Sequence, residues 1–361
     1  MMLDFYKGKR VLITGHTGFK GSWLSKILAM AGAEVYGYAL PQPEGSESLY
    51  KIADIENLMD SHLGDIRNYD ELKEYFDKAQ PEIVFHLAAQ PIVRDSYKDP
   101  RYTYETNVMG TVNICECVRL STSVKSFLNV TTDKVYQNNE WEWGYREDEK
   151  LDGFDPYSNS KSCSELVTHS YINSYFNEMG IATSTARAGN VIGGGDFAND
   201  RLIPDCVRAA MKGEKIILRN PDSTRPFQHV LEALSAYLLL AKLQYEDKAY
   251  AGYYNVGPNE GDAVTAGKLA GSYADAWNAL VAAGTKNCKY PNKLEIEIRP
   301  DGGPHEASYL KLDCSKIKSR LKWSPKWNID DAVKATAEWT YAYFSGEGIA
   351  SMEKQIKEYF Q

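Results

Sequence analysis

Little in this chain points to metal, disulfide or nucleic-acid chemistry. The six cysteines, Cys115, Cys117, Cys163, Cys206, Cys288 and Cys314, show neither metal-ligand spacing nor the density of a disulfide scaffold. They read as reduced, mostly buried thiols, and no metal is expected. Basic charge is in deficit: 41 Lys and Arg stand against 49 Asp and Glu, a net charge of -8. A protein that neutralises phosphates along a duplex carries a basic face, so nucleic acid is not an expected partner. Any anionic ligand must be held by a local group of basic residues. Long apolar runs are also missing: "AYLLLA" falls far short of a membrane span, and "MMLDFYKGKR" has no apolar stretch before the first strand. The expectation is a cytoplasmic protein without export or membrane insertion. No internal repeat and no low-complexity linker interrupts the chain.

What is present is ordinary globular material, 43% hydrophobic and 25% charged over 361 residues. That length fits one large α/β unit with a second lobe. Short apolar runs, "RVLITG", "EVYGYAL", "EIVFHLAA", "SFLNVTT" and "ATSTARAGNV", alternate with amphipathic helical segments. Such a rhythm predicts βαβ units and a doubly wound parallel sheet of Rossmann type. It breaks at the Gly-rich turn "GGGD" after about Asn190, and "GYYNVGP" is a later strand that can rejoin the sheet. The expected division is therefore a dinucleotide-binding domain over 1–190 plus about 226–258, and a smaller mixed α/β substrate lobe over 191–225 and 259–361.

Two motifs carry chemistry. In "VLITGHTGFKGSWLSKILAMAGAEVYGYAL", Gly15, Gly18 and Gly21 follow a strand and open a helix. There, absent side chains let backbone N–H groups approach a pyrophosphate. The second strand ends "YALPQPEG", with neither the acidic residue that holds a ribose 2′-hydroxyl nor an Arg for a 2′-phosphate. Glu44 and Glu47 follow, and no basic residue stands before Lys51, which points to NAD over NADP. In "GDIR", Asp65 and Ile66 either hold the adenine or form a turn. The second motif is "DPYSNSKSCSEL", where Tyr157 and Lys161 lie one helical turn apart. Lowering a phenol pKa from about 10 to about 7 takes about 4 kcal/mol of differential interaction, which a nearby ammonium and an oxidised nicotinamide can supply. Such a Tyr takes a proton from a sugar hydroxyl as hydride leaves.

Read together, "TGHTGFKG", "HLAAQP", "TNVMGT", "TTDKVY", "PYSNSK" and "RAGNVIGGGD" resemble the extended short-chain dehydrogenase/reductase superfamily, and within it the CDP-glucose 4,6-dehydratases. The likeness continues through "DRLIPD", "ILRNP", "RPFQHVLE" and "PHEASYLKLDCSK"; Phe197 and Phe227 stand where the family is expected to have Trp. The resemblance implies a lyase that uses NAD and acts on CDP-glucose or a related nucleotide sugar. It oxidises C4, eliminates water across C5 and C6, and returns the hydride to C6, a step of deoxysugar biosynthesis such as serves lipopolysaccharide O-antigen. A homodimer, or a tetramer built from it, is implied as well, paired through the segments after "TNVMGT" and "PYSNSK".

Residue by residue, the resemblance places the cofactor on Gly15, His16, Thr17, Gly18, Phe19, Lys20 and Gly21, on Asp65 and Ile66, on Leu87, Ala88, Ala89 and Gln90, and on Asn107, Tyr157 and Lys161. His16 and Lys20 either touch the cofactor phosphate or face solvent. The nucleotide sugar is placed on Asn190, Arg201, Leu202, Ile203, Arg219, Arg225 and His229. His305 and Glu306 border either the sugar or the nucleotide. Thr132 is expected to hydrogen-bond the substrate near C4. Sibling enzymes acting on dTDP-glucose carry Asp-Glu where this chain has Asp133 and Lys134, so Asp133 is the implied acid and Lys134 occupies the position of the base. An ammonium with a pKa of about 10.4 accepts no proton, so Lys134 either has its pKa lowered or stays charged and stabilises an enolate. Strict alternation would send neighbours to opposite faces, so both serve one cleft only if the strand ends there. The competing readings are another nucleotide-sugar 4,6-dehydratase, a nucleotide-sugar 4-epimerase, which needs no Asp133 and Lys134 pair, and an NAD-sensing binding protein, which needs no proton transfer.

Overall fold

The computed structural model describes residues 2–285, 287–299 and 309–361. The first six strands are β1 (Arg10–Thr14), β2 (Glu34–Ala39), β3 (Asp60–Leu63), β4 (Ile83–His86), β5 (Ser126–Val130) and β6 (Ala182–Ala188), and all but β3, the polar edge strand, follow the apolar runs. A seventh, Tyr253–Val256, comes from "GYYNVGP" and pairs with β6, giving the order Tyr253–Val256, β6, β5, β4, β1, β2, β3. Every pairing in this sheet is parallel. The expected doubly wound α/β fold is what the chain adopts. The strand order reverses between β1 and β4, and in such sheets the ligand crevice opens beyond the carboxyl ends of the strands at that point.

Alternation along the strands sends side chains to two apolar layers. Val11, Ile13, Phe85 and Leu128 pack with Trp23, Ile27, Leu234 and Leu238 of the helices Phe19–Met30 and Val230–Glu246. Leu12, Val84 and Phe127 pack on the other side with Leu72, Phe76, Ile114 and Val118 of the helices Tyr69–Ala79 and Gly110–Arg119. A separate apolar cluster includes Ile203, Val207, Leu269, Tyr273 and Trp277. It is built on the helices Leu202–Lys212, Ala266–Ala283 and Ile329–Phe344, beside a parallel pair of short strands, Ile216–Leu218 and Ile296–Ile298. The helix Ile329–Phe344 gives Trp339 to the sheet-side cluster and Tyr341 to the other, joining the two.

Candidate active site

Beyond β1 the chain makes the glycine turn, and each glycine meets a different demand. Gly15 has φ 81°, and a Cβ there would lie 2.8 Å from the Ala88 nitrogen; a Cβ on Gly21 would lie 2.1 Å from the Gly15 carbonyl oxygen. These two glycines let the turn pack against β4 and on itself. A Cβ on Gly18 would meet only the Gly15 oxygen, at 3.4 Å. Gly18 is also the N-cap of the helix Phe19–Met30 and offers no side-chain cap, so the first N–H groups are open to an anion. A cavity of about 600 Å³ lies over this turn, bounded by Gly15, Thr17, Gly18, Phe19, Lys20 and Gly21, by Asp65 and Ile66, by Leu87, Ala88 and Ala89, and by Tyr157 and Lys161.

Three residues expected at the cofactor turn their side chains elsewhere. His16 is fully buried, packs against Gly37 of β2, and places Nε2 2.8 Å from Ser61 Oγ. Burial lowers its pKa to about 4. Its ring meets neither phosphate nor solvent, correcting both alternatives. Gln90 receives a hydrogen bond from the Ile92 N–H at 2.6 Å and donates to Thr103 Oγ1 at 3.0 Å. Asn107 Oδ1 accepts the Gln90 N–H at 2.8 Å, while its Nδ2 donates to the Gln90 carbonyl at 3.1 Å and to Ser160 Oγ at 2.9 Å. Gln90 ties the loop after β4 to the helix Pro100–Tyr104, and Asn107 ties it to the Tyr157 helix; neither side chain lines the cavity. Sequence motifs mark such positions without saying which way a side chain points.

The end of β2 carries no carboxylate. Thr17 Oγ1 donates to the Leu40 carbonyl at 2.9 Å and Gln42 Nε2 donates to the Thr17 carbonyl at 2.8 Å, tying strand end to glycine turn. Glu47 borders the cavity and accepts from Tyr343 Oη at 3.1 Å. Asp65 is paired with Arg67 at 2.7 Å, and the guanidinium holds its carboxyl below the usual range.

The polar cluster after β5 has a local explanation. The strand stops at Val130, and Thr132 is the extended N-cap of a single 3₁₀ turn over Asp133–Val135. Thr132 Oγ1 donates to Asp133 Oδ1 at 2.9 Å and accepts the Lys134 N–H at 3.4 Å. Because the backbone has left the strand, Asp133 and Lys134 both border one cavity of about 270 Å³. Asp133 is 1% exposed and its Oδ2 has no hydrogen-bond partner. Burial raises its pKa, opposed by Lys134, Thr132, Arg225 and Lys20. A carboxyl held toward its protonated form is suited to give a proton.

Tyr157 opens the helix Pro156–Tyr171, whose N-cap Asp155 accepts the Ser158 N–H at 2.9 Å. Burial pushes the phenol up to about 12; the Thr132 hydroxyl and the Arg201 charge pull it back. The cation acting on Tyr157 is therefore Arg201, which the resemblance placed among the substrate contacts. Lys161 Nζ donates to the Val130 carbonyl at 3.3 Å. Burial and then Lys20 lower its pKa to about 8, against the opposing pull of Glu165.

The smaller cavity is also lined by Asn190, Arg201, Leu202, Ile203 and Arg225. Arg201 pairs with Asp196 at 3.1 Å. Arg219 does not line it; it pairs with Asp200 at 3.2 Å and Asp205 at 3.6 Å on the rim. His229 is a correction: it is fully buried, accepts the Leu231 N–H on Nδ1 at 3.3 Å, and packs against Trp327 at 4.8 Å. Burial lowers its pKa to about 3, so it is a neutral capping residue and not a substrate contact. His305 and Glu306 lie outside the described residues. The sequence reading missed Arg94 and Asp196, which join the cavity wall. Arg94 was findable as a basic residue just past the end of β4. Lys20 borders both cavities, and burial and then Arg201 lower its pKa to about 8. Among the described residues no group of His, Cys, Asp or Glu is placed to hold a metal ion, and no helix is long and apolar enough to cross a membrane.

Comparison with known proteins places these features in context. The family model described as GDP-mannose 4,6 dehydratase matches residues 12–336. The chain is 45% identical to the CDP-glucose 4,6-dehydratase of Salmonella typhimurium, over 99% of this chain and 97% of that protein. Among solved structures, the dTDP-glucose 4,6-dehydratase of Bacillus anthracis in complex with NAD shares the fold with a TM-score of 0.71 and 21% identity, covering 91% of this chain and 95% of that one. A Thermus thermophilus UDP-glucose 4-epimerase complexed with NAD shares it with a TM-score of 0.74 and 22% identity, covering 91% and 97%.

Proposed function

We propose that this chain, which belongs to the GDP-mannose 4,6 dehydratase family, converts CDP-glucose to CDP-4-keto-6-deoxyglucose as an NAD-dependent hydro-lyase. The observation that carries the reading is the 45% identity to a CDP-glucose 4,6-dehydratase along 99% of the chain. The glycine turn, with its uncapped helix and the room left by Gly18, fits a dinucleotide pyrophosphate. When bound there, NAD supplies a hydride acceptor for C4 and the same hydride for return to C6.

The side chains divide the remaining work. Tyr157 takes the proton of the C4 hydroxyl, and the Thr132 hydroxyl and the Arg201 charge favour its phenolate against burial. The C4 ketone acidifies the C5 proton. Asp133 gives its proton to the leaving C6 hydroxyl, so that water departs. Lys134, next to Asp133 in the same turn, receives the C5 proton or stabilises the enolate. Arg201 and Arg225 hold the diphosphate, with Asn190 beside the sugar.

Incubation with CDP-glucose and NAD, followed by mass spectrometry and NMR, is expected to yield the 4-keto-6-deoxy sugar. Appearance of a 4-epimer instead overturns the reading. We further infer a cytoplasmic homodimer. Met109, the N-cap of the candidate pairing helix Gly110–Arg119, is 50% exposed, and Leu166, on the candidate pairing helix Pro156–Tyr171, is 53% exposed. A monomeric mass by light scattering at micromolar concentration contradicts that assembly.

A further inference from the structure

Behind the cleft lies an ion pair that the chemistry above does not use. Arg187 Nη2 and Glu165 Oε2 are 2.9 Å apart, with side chains 2% and 1% exposed. Arg187 also stacks against two rings, its guanidinium carbon 5.2 Å from the Tyr136 centroid and 5.6 Å from that of Tyr253. Pairs removed from water this completely are weak sources of stability, because desolvation offsets much of the attraction. Their value is to be sought in the geometry they impose.

The remaining hydrogen bonds of the pair show what is held. Glu165 Oε1 accepts from Thr131 Oγ1 at 2.5 Å, and Oε2 accepts from Thr185 Oγ1 at 2.8 Å. Arg187 Nη1 donates to Tyr136 Oη at 2.9 Å and to the Glu147 carbonyl at 2.9 Å. Tyr136 Oη in turn donates to Asn255 Oδ1 at 2.6 Å. Thr131 and Tyr136 are the residues on either side of Thr132 to Val135, the turn that carries Asp133 and Lys134. One carboxylate holds the front of that turn and one guanidinium holds its back. Glu165 also lies one helical turn beyond Lys161, and Arg187 sits on β6 three residues before Asn190, so four pieces of the cleft share one anchor.

We propose that Glu165 and Arg187 are positioning residues for the dehydration step, clamping both ends of the turn that carries Asp133 and Lys134. The inference rests on the 4,6-dehydratase reading and adds to it two residues that touch neither substrate nor cofactor. A turn released at one end lets Asp133 and Lys134 drift relative to C6 and C5, whereas Tyr157, on which C4 oxidation depends, stands in the first turn of the helix Pro156–Tyr171 and loses to that drift only its contact with Thr132. Elimination therefore suffers more than hydride transfer.

Single-turnover experiments with CDP-glucose, followed at the NADH absorbance and by product analysis, test this in Thr131→Val, Tyr136→Phe and Glu165→Gln. Each variant is expected to show NADH rising and persisting, with 6-deoxy product formation slowed about tenfold to a hundredfold and KM changed less than twofold. Thr131→Val and Tyr136→Phe carry the test if Glu165→Gln does not fold. Variants that lose thermal stability but keep the wild-type NADH trace and rate overturn the proposal. Equal slowing of C4 oxidation and elimination overturns it too. Failure of the function reading is distinguishable, because wild-type protein then forms no 4-keto-6-deoxy sugar at all.

Discussion

Where the larger cavity meets the glycine turn and the loop after β4, the chain presents backbone and small side chains, such as Gly15, Gly18, Gly21, Ala88 and Ala89, while its charges, Lys20, Glu47, Asp65, Asp95, Lys161, Asp196 and Arg201, are spread over a wall of 35 residues. Around the smaller one charge is denser, with Lys20, Arg94, Asp133, Lys134, Asp196, Asp200, Arg201 and Arg225 among 27 residues. The first wall recognises a dinucleotide by letting it come close to N–H groups, so its design is one of omission. The second must bind a diphosphate and move protons between neighbouring carbons, so its design is one of opposed charges held in a partly dry space. The walls share eight residues, among them Tyr157, Lys20, Thr131, Asp196 and Arg201, which border both cavities. Hydride has to pass between cofactor and sugar, and that shared border is where they can touch.

If the border is where the walls work together, removing the Tyr157 hydroxyl has the largest effect. Tyr157→Phe is expected to lower turnover by about 10²–10⁴-fold while the NAD dissociation constant, read by fluorescence titration, stays near wild type. Wild-type product formation by this variant breaks the assignment.

The next two substitutions separate roles within the charged wall. Lys134→Ala is expected to allow NADH to form and to stop deuterium entering C5 from solvent. Asp133→Asn also accumulates NADH yet still exchanges C5, each with net turnover reduced by roughly 10² or more. Normal C5 exchange in Lys134→Ala moves the proton transfer to Tyr157 or water.

A smaller effect tests the backbone-made wall alone. Since the end of β2 carries no carboxylate for the ribose, purified protein is expected to shed NAD, and its rate to rise severalfold on adding NAD. A preparation already saturated and indifferent to added NAD shows that the remaining contacts suffice.

The smallest effect concerns the framework under both walls. His16, His86 and His229 are buried, and burial lowers their pKa values to about 4, 3 and 3. On unfolding they return to about 6.5, so below that pH the unfolded chain binds protons that the native one refuses. Their stabilisation is whole above about pH 6.5 and declines as pH falls toward their folded values, each adding a slope of up to about 1.4 kcal/mol per pH unit. Urea unfolding at pH 7 and pH 5 should show this loss, with a shallower slope in His16→Asn. An unchanged slope in that variant places the acid sensitivity elsewhere.

Much of this was legible along the chain because it depends on local pattern. Val11, Leu12 and Ile13 declare a strand buried on both faces, and three glycines before a helix declare a close approach of backbone to an anion. The spacing of Tyr157 and Lys161 puts them on one helical face wherever that helix lies. The resemblance in turn supplied the reaction and the names of most cleft residues.

Direction, burial and partnership were decided by the tertiary structure. His16 and His229 sit in the right motifs, yet their rings point into the core, because Gly37 leaves a space for one and Trp327 covers the other. Asp133 and Lys134 are adjacent in any reading of the sequence. They share a cavity because β5 stops at Val130 and a 3₁₀ turn replaces alternation. Arg187 reads as one polar residue in a strand, and its partner Glu165 lies 22 positions earlier on a helix. Local pattern fixes which residues share a face of a strand or helix, since that depends on backbone period alone. Which distant groups meet, and whether water reaches them, depends on how separate elements pack, and that sets the charges on which the chemistry runs.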